Sequence, residues 1–155
     1  MKIVINVCYG GFSLSPLAVK RLAELNGKEC FFYESDYGKP YKLVEVDFNE
    51  NGLFAPTAFS VGDEKELNCI LDFDWKSATK EQKEKYNEKY NSIYLDSRPE
   101  NRTDSLLIQV VEELGDKANG GCAKLKVIEI PDGTDYYIDE YDGNESVNES
   151  HRSWS

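Results

Sequence analysis

Apolar and polar positions follow different rhythms along the chain. Lys2 to Cys8 is an almost unbroken run of Ile and Val, which predicts a buried strand, and Tyr9-Gly10-Gly11-Phe12 breaks it. Ser15 is placed as an N-cap and Pro16 suits the first helical position. Leu17, Ala18, Leu22 and Leu25 then recur at helical spacing up to the stop at Gly27, predicting a helix over 16–26. Cys30–Tyr33 and Leu43–Val46 read as two further strands, parted by the turn-rich Asp36-Tyr37-Gly38-Lys39-Pro40. Thr79 with Gln82 forms a capping box that opens a polar helix through Tyr94, with Tyr86, Tyr90 and Ile93 as a thin apolar stripe. Such a helix is half-buried, lying on the body or covering a cleft. Thr103 is placed to cap another helix, whose Leu106, Leu107, Val110, Val111 and Leu114 share one face and which ends at Gly115.

Cys122–Ile130 alternates, with Leu125 and Val127 facing one way and Lys124, Lys126 and Glu129 mostly the other. Asp135–Tyr141 follows Pro131-Asp132-Gly133, so the two segments are expected to pair as an antiparallel hairpin. Residues 49–75 show no clean period. The expected architecture is a single α+β domain over 1–155. It would have a mixed, mainly antiparallel sheet of about five strands and about three helices packed on one face. Residues 49–97 would form an insertion and 144–155 a tail. At 155 residues, 40% of them hydrophobic, the chain is long enough to bury a core.

Charge changes the picture more than size does. The formal net charge is -11, which argues against a surface that tracks duplex nucleic acid. It is unevenly spread: residues 1–47 are neutral, 48–102 carry -3 and 103–155 carry -8. Val127–Ser150 holds eight carboxylates and no Lys or Arg. This is either a solvated acidic edge or a surface for a basic partner, with Asp135, Asp139, Glu140, Asp142 and Glu145 as the contact residues.

Met1–Asn6 lacks the apolar stretch and cleavage site of a signal peptide, and no segment reaches the length of a membrane span. Cys8, Cys30, Cys69 and Cys122 are widely spaced, with only one His in the chain. The expectation is four reduced, mostly buried thiols in a cytosolic protein, with no metal and no cofactor.

Four places carry candidate binding chemistry. Tyr9-Gly10-Gly11-Phe12, between a strand and a helix, resembles a loop whose backbone amides hold an anion. It lacks the spacing of a nucleotide fingerprint and is equally a turn that needs glycine dihedrals. Arg98, Asn101 and Arg102 precede a helix, where two guanidiniums would clamp phosphate or carboxylate; alternatively Arg102 pairs with Asp104 or a neighbouring carboxylate. Asn119, ahead of Gly120-Gly121, lies in a loop that a ligand can approach closely. His151, Arg152 and Trp154 end the chain, either as a plain solvated terminus or as a tail that docks or stacks on a base. No nucleophile, acid–base pair or calcium loop stands out, so a binding protein is expected rather than an enzyme.

Three segments together resemble a family of short, functionally uncharacterised bacteriophage and prophage proteins. They are Met1-Lys2-Ile3-Val4-Ile5-Asn6-Val7-Cys8-Tyr9-Gly10-Gly11-Phe12; Arg102–Leu107 running into Val110-Val111-Glu112-Glu113-Leu114-Gly115; and Ala118-Asn119-Gly120 through Lys124–Asp132, Tyr141-Asp142-Gly143 and the closing His151-Arg152-Ser153-Trp154. The resemblance covers the two ends and not 49–97. It implies a phage origin, the host bacterial cytoplasm as location, and action by binding. The first expectation is an antagonist of host defence that sequesters a small nucleotide-type signal, in a pocket of the Tyr9–Phe12 loop, Arg98, Arg102, Asn119 and Trp154 shared across a homo-oligomer interface. The second is an acidic inhibitor that mimics nucleic acid and binds a basic host protein. The third is a structural or housekeeping phage protein without a dedicated ligand.

Overall fold

The computed structural model describes residues 1–36, 39–49 and 55–150. In chain order its elements are β1 (Lys2–Asn6), α1 (Pro16–Leu25), β2 (Phe31–Glu34), β3 (Lys42–Val44), β4 (Thr57–Phe59) and α2 (Glu64–Leu71). Then come α3 (Lys80–Ile93), β5 (Tyr94–Leu95), α4 (Ser105–Leu114), a 3₁₀ turn (Gly115–Ala118), β6 (Leu125–Glu129), β7 (Tyr136–Tyr141) and β8 (Asn144–Glu149). The fold is α+β. In place of one mixed sheet, the described strands form three antiparallel ones: β1-β6, β3-β2-β4-β5 and β7-β8.

The helices begin where local chemistry puts them. Ser15 Oγ accepts from Ala18 N at 3.1 Å, and Pro16 opens α1. Thr79 and Gln82 exchange side chain-to-backbone bonds at the start of α3. The cap of α4 falls one residue later than expected. The Asp104 carboxylate takes the amides of Leu106 and Leu107 at 3.0 and 2.9 Å, and Thr103 Oγ1 donates instead to Asn101 Oδ1. A carboxylate reaching two orphan amides outcompetes a hydroxyl that reaches one. The short α2 is capped in the same way by Asp63, and it buries Leu67 and Ile70.

Two hydrophobic clusters hold these elements. In the first, Val4 of β1, Ala18 and Val19 of α1, and Leu107, Val110 and Val111 of α4 close against one another. The second is aromatic: Phe59, fully buried, meets Tyr33, Tyr41, Tyr90 and Tyr94 edge-on at centroid distances of 5.8 to 6.0 Å. The helices thus divide between two clusters rather than covering one face of a single sheet. Tyr86 and Tyr90, the thin stripe of α3, supply its contact with the aromatic cluster.

The pairing of the last third overturns the expected hairpin. β6 pairs with β1, Lys2 opposite Glu129 and Asn6 opposite Leu125, whereas β7 pairs with β8, Tyr136 opposite Glu149 and Tyr141 opposite Asn144. The residues expected to begin a tail, Asn144–Glu149, are therefore a strand. Two causes act together. Asp142 and Gly143 have φ of +50° and +83°, the two-residue turn whose twist matches a right-twisted hairpin. Buried β1, in turn, needs a partner for its backbone, and β6 brings Leu125 and Val127 to the first cluster. The Pro131-Asp132-Gly133 turn serves the chain start instead, where Asp132 pairs with the Met1 amine. No helix among the described residues is long and apolar enough to cross a membrane.

Candidate functional site

The most constrained polar centre lies where the β7–β8 turn meets the end of β1. Asn6 is fully buried. Its Nδ2 donates to Cys8 O at 2.7 Å and Gly143 O at 2.5 Å, and its Oδ1 accepts from Lys124 N at 2.7 Å. One side chain therefore satisfies three backbone groups from three segments. The Asn6 amide itself donates to Glu145 Oε2 at 2.8 Å.

Glu145 also accepts from Arg102 Nη2 at 3.3 Å, with side-chain exposures of 16% for Arg102 and 8% for Glu145. The Arg102 guanidinium carbon lies 3.3 Å from the centroid of the Phe12 ring, which takes part of its charge on the ring face. Burial pushes the Arg102 guanidinium below its ordinary value, opposed by Glu145 and Asp96. Its Nη1 is buried without a hydrogen-bond partner among the described residues.

The glycine loop is filled by protein rather than open to an anion. Gly10 and Gly11 have φ of +143° and +86°, and the Gly10 amide donates to Asp142 O at 3.3 Å. A Cβ on Gly143 would run into the backbone nitrogens of both glycines. Gly10 and Gly143 are needed because backbones meet there, and Gly11 for its positive φ. Tyr9 projects from this loop and is 67% exposed.

The remaining residues of the expected pocket separate. Arg98 is exposed, and among the described residues its one hydrogen bond runs from its backbone N to Asp96 Oδ1. Asn101 is occupied by Thr103. Asn119 bridges Leu14, and its Oδ1 accepts from Leu125 N at 2.8 Å, fixing the start of β6. His151, Arg152 and Trp154 lie outside the described residues. The clefts found between described elements lie elsewhere. One, of about 650 Å³, is lined by Lys39, Tyr41, Lys65, Asn68 and Asp72. Another, of about 370 Å³, lies between α2 and α3, with Phe73 and Tyr86 below Lys85 and Lys89.

The acidic hairpin is the other prominent surface. Residues directly opposite across an antiparallel pair share a face. Tyr137, Asp139 and Tyr141 thus lie on one face with Asn148, Ser146 and Asn144, while Glu140, Glu145 and Val147 lie on the other. Tyr137 and Tyr141 are 51% and 79% exposed. Asp135, Asp139, Glu140 and Asp142 are exposed, and none has an ion-pair partner among the described residues. Glu145 departs from the expected contact set: strand alternation turns it inward, where it is spent on Arg102. Sequence reasoning missed Asn6, although a polar residue ending an Ile-Val-Ile run was the available signal.

The thiols also depart from expectation. Cys8 and Cys30 are half-buried, but Cys69 and Cys122 are exposed, and all four are free. Burial pushes the Cys30 thiol up to about 11. No family model, curated protein or solved structure matches the chain.

Proposed function

We propose that this protein acts by binding, and that the β7–β8 hairpin is its contact surface for a basic protein. The observation that carries this reading is the exposed face of Tyr137, Asp139 and Tyr141, with Asp135 and Asp142 at the ends of the strand and exposed Glu140 and Glu149 on the hairpin's other face. No cation lies between Val127 and Ser150. Unpaired carboxylates supply long-range attraction, and exposed tyrosines supply contact area at low entropic cost. The resemblance to phage proteins supplies the setting: a host protein that ordinarily meets nucleic acid, inhibited in the bacterial cytoplasm.

The test is affinity capture from bacterial lysate at low and high salt. The wild type is compared with a variant carrying Asp135→Asn, Asp139→Asn, Glu140→Gln, Asp142→Asn and Glu149→Gln. A stoichiometric basic protein held by the wild type, released by salt and absent from the variant is the expected result. Identical capture by both proteins would sink the reading.

A second reading, sequestration of a small nucleotide-type signal, draws on one observation, the unpartnered Nη1 of Arg102. A phosphate at Nη1 would meet the negative charge of Glu145 on the neighbouring Nη2, so Glu145→Gln should tighten binding and Arg102→Met abolish it. Calorimetry with cyclic dinucleotides decides the matter; no heat with either wild type or Glu145→Gln removes this reading.

A further inference from the structure

The β7–β8 turn fixes more than the hairpin's register. With two residues in the turn, Tyr141 and Asn144 are the first hydrogen-bonded pair, and bonded pairs recur at every second residue. The backbone N–H and C=O groups of Tyr137, Asp139 and Tyr141 therefore point at β8. Those of Tyr136, Ile138 and Glu140 point away from it. No strand other than β8 pairs with β7 among the described residues, and none of the three outward amides meets a backbone acceptor there.

Edges of this kind are ordinarily blunted by Pro, Lys, a bulge or a covering segment. β1 shows such a cover, since the Val4 amide is taken by Arg102 O at 2.9 Å. β7 is a regular six-residue strand, Tyr-Tyr-Ile-Asp-Glu-Tyr, with no Pro, Gly or Lys. What guards it is negative charge: Asp139 and Glu140 within the strand, and Asp135 and Asp142 at its two ends. That charge repels a second copy, because two such edges side by side would bring eight carboxylates together. It attracts a cationic strand.

We propose that the outer edge of β7 accepts an extended, Lys/Arg-bearing segment of the partner as an added strand. The segment donates and accepts backbone hydrogen bonds at Tyr136, Ile138 and Glu140. One of its cations lies over Asp139, between the rings of Tyr137 and Tyr141, which stand two residues to either side on the same face. The inference rests on the hairpin being the surface for a basic partner and adds how that partner is held.

The probe is a synthetic peptide of about seven residues alternating Lys or Arg with Val, long enough to span β7. It is compared with the same peptide N-methylated at every backbone amide, equal in charge but unable to donate. At low salt the unmodified peptide should bind roughly tenfold more tightly or better. It should also slow hydrogen exchange at the Tyr136, Ile138 and Glu140 amides, and it should lose affinity with Asp139→Asn. Equal, salt-sensitive binding of both peptides with those amides unprotected overturns the added strand and leaves the basic-partner reading standing. No binding of either peptide at low salt overturns both. Protection of the same amides by the protein's own dimerisation, without peptide, assigns the edge to a second copy and overturns the proposal.

Discussion

The turn end of the β7–β8 hairpin and the outer edge of β7 both carry carboxylates, with opposite fates. At the turn, a glutamate is buried and paired, two backbones touch, and an asparagine from β1 bonds three backbone groups. Along the outer edge of β7, Asp139 and Glu140 stand exposed with no cation among the described residues, Glu140 taking only the Gly143 amide, and the outward backbone amides meet no acceptor there. The difference teaches that a carboxylate's role here follows from what lies across from it, not from its neighbours in the chain. Glu145 has Arg102 and the Asn6 amide within reach. Asp139, opposite Ser146, has no cation among the described residues.

The largest test of that contrast removes one side of the buried pair. Glu145→Ala leaves the Arg102 guanidinium buried without its anion and should cost about 4 kcal/mol in urea unfolding. Replacing both residues with apolar ones of similar volume should cost much less, and a double-mutant cycle measures the gap. Gly143→Ala should follow, at about 3 kcal/mol, because the new Cβ meets the Gly10–Gly11 backbone and the residue sits at positive φ. Gly133→Ala is the control, having φ of +80° and nothing within 4 Å of its Cβ. It should cost only about 1 kcal/mol, the dihedral penalty alone. At the small end, Asp139→Asn should leave the urea midpoint where it is and act only on the salt dependence of binding. A shift in stability with Asp139→Asn as large as that with Glu145→Ala would erase the distinction between the two regions.

How much of this could be read from the chain depends on the distance over which each feature is decided. Ser15 with Pro16, and Thr79 with Gln82, announce their helices within one turn because the partners of the orphan amides lie within four residues. The capping residue of α4 was misplaced by a single position, since Thr103 and Asp104 compete for the same amides and only their geometry ranks them. Strand pairing was a different matter. Pro131-Asp132-Gly133 and Asp142-Gly143 are both turn signals, and nothing local says which one reverses a hairpin. β1 claims β6 across more than a hundred residues, so the expected partner of β7 was already taken. β4 and β5, three and two residues long, carry too few positions to show a period.

The candidate site divides along the same line. That Val127–Ser150 is acidic and without cations is a property of composition, and it holds whatever the chain folds into. The exposure of Tyr137 and Tyr141 follows from alternation once the register is known. The inward turn of Glu145, the closing of the glycine loop by Gly143 and the three-way bonding of Asn6 belong to tertiary structure alone. Each needs groups from distant segments brought within hydrogen-bond reach. The sequence by itself determined α1, α3 and α4 and the charge of the last third, because these depend on near neighbours or on simple sums. Only the tertiary structure decided which carboxylate is buried and which edge is left open, because burial and backbone pairing are settled by whichever distant segment arrives to compete for them.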